Sequence, residues 1–201
     1  MNKFNITTYK YPCEYAVIED VYTSSQLNLI WQELDFLSNK LHTPDKTGTA
    51  TENNKYLKQA SGIFLDEIYT CRSTSNILQL NRWLWDKDVV EYLEKSLSSW
   101  WKLLGLSNKD STLLNYYSDT DYYKPHMDLC VFTAITVFYK IPLNFIGGDF
   151  VLLDKVIHLK SNSTLIFPGH VSHAVTPVKL IDSTLNNCGR YSLAQFITVN
   201  I

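Results

Sequence analysis

From Ser111 onward the chain is a series of short runs rich in β-branched and aromatic residues. They cover residues 112–117 (TLLNYY), 132–139 (FTAITVFY), 149–153 (DFVLL), 163–167 (STLIF), 174–178 (AVTPV) and 191–199 (YSLAQFITV). Turn signals at Asn144, Gly147–Gly148, Pro168–Gly169 and Asn186–Asn187 separate them. Such spacing predicts an antiparallel sandwich or barrel rather than alternating β-α units.

The preceding residues read differently. Residues 15–21 predict a short strand. Thr23 with Gln26 three residues on has capping-box spacing, and Leu27, Ile30, Trp31, Leu34 and Leu37 follow at helical spacing. Residues 62–69 (GIFLDEIY) predict a strand, and residues 77–85 and 89–104 predict helices. Val90, Leu93, Leu97, Trp101 and Leu104 line one face of the second helix, with Gly105 placed to end it. Trp100–Trp101 reads as core rather than as a base-stacking platform. Between these elements, residues 43–55 (TPDKTGTATENNK) have no apolar anchor and read as an exposed loop, either slack or a lid.

Composition narrows the function classes. With 45% apolar and 13% aromatic residues, 201 residues can bury a sizeable core. A formal charge of −2 offers no general attraction to phosphate, so no nucleic-acid partner is expected. Cys13, Cys71, Cys130 and Cys188 are far apart with no C-x-x-C pair, which speaks against a zinc knuckle or disulfide framework and for reduced thiols in a cytoplasm-like compartment. The first residues lack a signal-peptide apolar stretch, and no apolar run is long enough to span a membrane, so the expected location is cytoplasmic with no membrane partner.

The chemistry sits in the strand-rich half. His126 and Asp128 form H-x-D in YYKPHMDL, and residues two apart on an extended segment share a face. His173, in PGHVSHAVTPV, can add a second imidazole. Two imidazoles and one carboxylate on one octahedral face leave three positions open, which suits Fe(II) with a bidentate cosubstrate and O2; zinc with a bound water is the competing metal. Further on, Arg190 and Ser192 form R-x-S, so a guanidinium and a hydroxyl can reach one carboxylate.

In order and spacing, His126-Met127-Asp128, the run from Gly147 to Leu152, the run from Phe167 to Val178 and Gly189-Arg190-Tyr191-Ser192 resemble the 2-oxoglutarate/Fe(II)-dependent dioxygenase superfamily, in particular its prolyl 4-hydroxylase-like branch. The resemblance spans about residues 112–199. It implies a mainly β fold with packed helices. One domain would cover residues 1–201: a helix-rich supporting part over 1–110 and a double-stranded β-helix (jelly-roll) core with the metal site over 111–201. His126, Asp128 and His173 would be the catalytic iron ligands. His170 lies three residues before His173, but Val175 and Pro177 fit the family pattern after His173. Arg190 with Ser192 would hold the distal carboxylate of 2-oxoglutarate. A tyrosine before H-x-D and an aromatic after it are expected to bind the cosubstrate. Tyr116 and Tyr139 are the candidates, with Tyr117, Phe138 and Thr136 beside them. His42 and His158 belong to no motif and read as structural or exposed.

The implied reaction consumes Fe(II)-bound 2-oxoglutarate and O2, with ascorbate a candidate reductant, and yields succinate, CO2 and a hydroxylated substrate. Asp128 favours hydroxylation, because related halogenases have a small residue there. The branch points to a peptidyl substrate, proline first, with a small metabolite as runner-up. Nucleobase demethylases of the superfamily have a second arginine soon after the first, and SLAQFITV has none. A non-catalytic cupin-like module is the rival from another class, and it has no use for a carboxylate clamp. The residues between His173 and Arg190 are more numerous than in many relatives, and KLIDSTLNNCG reads as a hairpin extension.

Overall fold

Three strands in the second half of the chain bury side chains on both of their faces, and this alternation sets the architecture. The computed structural model describes residues 3–199. In the strand Phe132–Phe138, Phe132, Ala134 and Phe138 enter one hydrophobic cluster while Ile135 and Val137 enter another. Arg190–Thr198 behaves alike: Tyr191, Leu193 and Ile197 join the first cluster and Ala194 the second. Lys109–Tyr117 sends Leu114 one way and Leu113 and Tyr117 the other. A strand apolar on both faces needs a layer on each side.

The layer on one side is helical. Ser24–Leu37 buries Ile30, Leu34 and Leu37 in the first cluster, along with Leu78, Val89 and Leu93 from later helices. Its predicted capping box is present: Gln26 N–H donates to Thr23 Oγ1, and Thr23 N–H donates to Gln26 Oε1. On the other side is a second sheet, which contributes Phe150, Leu152 and Val175 to the second cluster.

The large sheet has seven antiparallel strands in the order Asn5–Tyr9, Tyr15–Glu19, Ser163–Pro168, Phe132–Phe138, Arg190–Thr198, Lys109–Tyr117 and Ser61–Phe64. The small sheet runs Lys155–Ile157, Phe150–Leu152, His173–Val175, Tyr122–His126 and Lys58–Gln59. This is a mainly β fold with a double-stranded β-helix core and helices against the large sheet. The N-terminal part does more than support that core, because it supplies edge strands to both sheets.

Three local expectations need correction. The stretch read as a strand over 62–69 is the strand Ser61–Phe64 followed by the helical turn Leu65–Ile68. The helix read over 89–104 is broken. Lys87–Ser96 ends at Leu97, which is extended, and Ser99–Trp101 and Lys102–Leu106 follow as short turns. The cause is tertiary: the Glu14 carboxylate accepts hydrogen bonds from Ser98 N–H and Trp101 Nε1, starting a new turn there. Gly105 therefore sits inside a turn, where a Cβ would lie 2.8 Å from the mobile end of Glu94 and 3.1 Å from Val90 Cγ1. Finally, the 179–189 extension is no hairpin. Val178–Leu180 pairs with Phe145–Gly147, and the remainder is turns.

Residues 43–55 are also more ordered than a slack loop. Thr51–Glu52 pairs with Lys55–Tyr56 across Asn53 and Asn54, both of which have positive φ, a conformation that asparagine tolerates better than most side chains. Ala50 N–H donates to Tyr123 Oη, which ties the segment to the small sheet.

Candidate metal centre

His126 ends the strand Tyr122–His126, and His173 begins His173–Val175. The two are register partners in the antiparallel pair, so their side chains leave the same face. Asp128 lies just past the strand end, in a loop fixed by its own N–H donating to Gly169 O. The potential ligand atoms of the three residues all lie within 4.8 Å of one another. Asp128 Oδ1 is 3.8 Å from His126 Nε2, and Oδ2 is 3.4 Å from His173 Nε2.

The hydrogen bonds around the triad select the tautomers a metal needs. His126 Nδ1 is 2.9 Å from Lys124 O, and His173 Nδ1 is 2.9 Å from Val171 O. A carbonyl can only accept, so each Nδ1 carries the proton and each Nε2 lone pair faces its neighbours. Thr133 Oγ1 donates to Asp128 Oδ2 at 2.6 Å and holds the carboxylate. The rings are clamped too: Tyr123 stacks on His126 at 3.5 Å, and Phe150 and Phe167 pack on His173.

Burial sets the charge state. Desolvation pulls the His173 pKa down to about 4. It lowers His126 as well, with further repulsion from His173, and it raises Asp128. Two imidazoles neutral near pH 7 and a carboxylate lacking full solvation form a donor set that fits a divalent transition metal. Exposed His170 stands outside the cluster, edge-on to Trp100.

The triad opens into a cavity of about 670 Å³ that Arg190 and Ser192 also line. Arg190 is 3% exposed, packs over the Tyr117 ring, and leaves Nη1 without a partner. Its approach depends on Gly148, which has φ of +67° and at which a Cβ would come within 3.1 Å of Arg190 Cδ. An unpaired buried guanidinium nitrogen calls for an anion. The residues present thus fit both a divalent metal and a carboxylate cosubstrate.

The tyrosine candidates separate. Tyr116 is on the helix-facing side of its strand, where its ring packs on Tyr191 and its Oη accepts from Gly189 N–H. Its neighbour Tyr117 faces the cavity, together with Asn115. Tyr139 lines a smaller recess of about 200 Å³ on the far side of Arg190, where His158 pairs with Asp149. The sequence reading missed Lys58, Asn115 and Thr133. Thr133 could have been found from strand alternation with Ile135 and Val137; Lys58 belongs to no pattern.

The fold is shared with solved structures. The chain is similar to the crystal structure of a Pseudomonas putida prolyl-4-hydroxylase, with TM-score 0.55, 14% identity and 93% of each chain covered. It is similar to an oxidoreductase of the 2OG-Fe(II) oxygenase family from Burkholderia pseudomallei, with TM-score 0.55 and 13% identity over 92% of this chain and 85% of that one. A viral collagen prolyl hydroxylase from Paramecium bursaria Chlorella virus-1, in complex with 2OG, gives TM-score 0.51 and 15% identity over 91% and 94%. No protein-family model and no curated protein sequence matches the chain. At such identities the likeness establishes the fold these proteins share, and the chain has it. No helix among the described residues is long and apolar enough to cross a membrane.

Proposed function

We propose that the protein is an Fe(II)- and 2-oxoglutarate-dependent dioxygenase that hydroxylates an unactivated C–H bond, with release of succinate and CO2. One observation carries the reading: a His-Asp-His cluster whose two Nε2 atoms face Asp128 shares a cavity with a buried arginine whose Nη1 has no hydrogen-bond partner among the described residues. A metal-binding module would account for the first half of that arrangement and leave the arginine unexplained.

His126, Asp128 and His173 would hold the iron on one face, leaving the other face to the cosubstrate and O2. When bound, iron with 2-oxoglutarate supplies the oxidising power for hydroxylation. The chain's own residues do the rest. Lys124 O and Val171 O fix the imidazole tautomers, and Thr133 fixes the Asp128 carboxylate. Arg190 would pair with the distal carboxylate, with Ser192 and Tyr117 beside it on the cavity wall. Phe150 and Phe167 keep water from the His173 side.

A peptidyl residue, proline first, is the substrate this reading favours. Its support is that two of the three structures named above are prolyl hydroxylases. Anaerobic titration of the Fe(II)-loaded protein with 2-oxoglutarate tests the core of the proposal. The visible charge-transfer band of an iron–keto-acid chelate is expected. Iron binding with no band and no 2-oxoglutarate affinity would leave the metal-binding module as the better account.

A further inference from the structure

Lys58 is the one lysine among the described residues that is buried, at 3% exposure. It lies on the edge strand Lys58–Gln59 of the small sheet, in register with Tyr123, the residue that stacks on His126. Its Nζ donates to Thr47 Oγ1 at 2.9 Å and to Asn115 Oδ1 at 3.0 Å, and lies 5.7 Å from the Tyr123 ring centroid. Both acceptors are neutral. Among the described residues no carboxylate pairs with it, and burial alone lowers its pKa to about 8. An ammonium has three N–H groups, so one is left over.

The cavity wall contains both Lys58 and Arg190. Arg190 suffices for the distal carboxylate of a small diacid chelated at the triad. Such a diacid fills only part of about 670 Å³, a volume in the range that holds a drug-sized ligand. Phe64, Leu113, Ile135 and Phe196 line the cavity too, and Lys58, Thr47 and Asn115 are among its polar groups. An apolar body with one anionic end fits those walls.

We infer that Lys58 is a specificity-determining residue that receives a carboxylate of the substrate, so that the substrate class is carboxylate-bearing. The inference rests on the dioxygenase reading above. The carboxylate can belong to a free small acid or to an acidic side chain of a peptide next to the target residue. A purely mechanical reading is available as well: Lys58 could tie Thr47, and with it the 43–56 segment, to the sheet. That duty requires hydrogen bonds and no charge, so a glutamine could perform it.

The experiment uses the full chain with Mn(II) and saturating 2-oxoglutarate, and follows paramagnetic broadening of probe NMR signals. The probes are N-acetylproline against N-acetylprolinamide, and a blocked Glu-Pro dipeptide against blocked Gln-Pro. The proposal expects the acid of at least one pair to bind more tightly than its amide. The first pair marks a free acid as the source, the second an acidic side chain. In Lys58→Gln the acid should weaken roughly 10- to 100-fold, the range of one charged hydrogen bond, while the amide is unchanged. Competition titration of 2-oxoglutarate should give the same affinity in both proteins. Equal loss of acid and amide, no discrimination in the wild type, or no probe binding overturns the proposal. Loss of 2-oxoglutarate affinity in Lys58→Gln overturns it too, because Lys58 would then serve the cosubstrate. Absence of 2-oxoglutarate binding to the wild type marks failure of the dioxygenase reading instead.

Discussion

His126 and His173 face each other across one antiparallel strand pair, in register, with ring centroids 4.2 Å apart. Neither ring is free to turn, because each Nδ1 proton is bound to a carbonyl two residues earlier in its own chain segment. The candidate ligand set is therefore preorganised by the backbone itself, and Asp128 is brought to it by Thr133 and Gly169.

Replacing His126, Asp128 or His173 by alanine should lower Fe(II) or Mn(II) affinity by at least about 100-fold, more than is typical of loss of a supporting hydrogen bond to a ligand. Thr133→Val should produce the smaller, supporting-bond effect, about 10-fold, because the carboxylate remains but loses its donor. Calorimetric metal titration separates the two sizes. Equal affinities across the set would mean the metal binds elsewhere.

Arg190 should trade stability for binding. Arg190→Met is expected to weaken 2-oxoglutarate roughly 100-fold, the cost of removing a charged partner from a buried carboxylate. In the absence of cosubstrate the same variant should melt at a higher temperature, because it removes a buried guanidinium with an unpaired Nη1. A variant that loses binding and melts lower would show that Arg190 is structural.

The two adjacent tyrosines give opposite expectations. Tyr116→Phe loses a hydrogen bond to Gly189 N–H and should cost about 1 kcal/mol of stability with cosubstrate affinity intact. Tyr117→Phe should leave stability closer to wild type and weaken 2-oxoglutarate several-fold. Thermal melts and cosubstrate titration on both variants check the assignment.

That pair also shows where sequence legibility ends. Runs of β-branched and aromatic residues located the long strands of the large sheet but not short ones such as Phe145–Gly147 and Lys155–Ile157, and H-x-D, His173 and R-x-S came together because motifs two residues apart need no knowledge of the rest of the fold. Tyr116 and Tyr117 differ by one position, and the period of two sends them to opposite faces. Only the pairing of Lys109–Tyr117 with Arg190–Thr198, seen in three dimensions, settles which faces the cavity. The break after Ser96 was illegible for a different reason. Its cause, Glu14, is 84 residues from Ser98 in sequence. Lys58 was invisible because a buried lysine has the same letter as an exposed one, and KYLKQA has no pattern to separate Lys55 from Lys58.

Acid should destabilise the metal-free protein over a defined window. His173 has its folded pKa lowered to about 4, so between the ordinary histidine value of about 6.5 and about 4 the unfolded chain binds a proton that the fold refuses. The stability is complete above that window and is lost as pH falls through it, by about 3 kcal/mol for this residue. Asp128, raised by burial, acts in the opposite direction as pH rises above the ordinary aspartate value. His173→Leu should therefore show a shallower loss between pH 6.5 and 4 in urea melts. Parallel curves for the two proteins would rule out His173 as a source of the slope.

Lys58 predicts an alkaline effect of its own. Its folded pKa of about 8 lies below the ordinary lysine value, so the buried ammonium is a net cost to folding wherever it must stay charged. The cost is greatest below about pH 8, where folded and unfolded chains both hold the proton, and it fades as pH rises from 8 towards 10.5. Its full size is about 3 kcal/mol, offset in part by the bonds to Thr47 and Asn115. Lys58→Met removes the charge and those bonds together. The stability of the variant relative to wild type should therefore be most favourable at pH 7 and fall by a few kcal/mol by pH 10. The lost hydrogen bonds add a constant that pH does not change, so the slope of the difference, rather than its sign at any one pH, carries the result. A difference that stays flat from pH 7 to 10 would mean that Lys58 is not held in a desolvated site, and the case for a carboxylate receptor there would lose its physical basis.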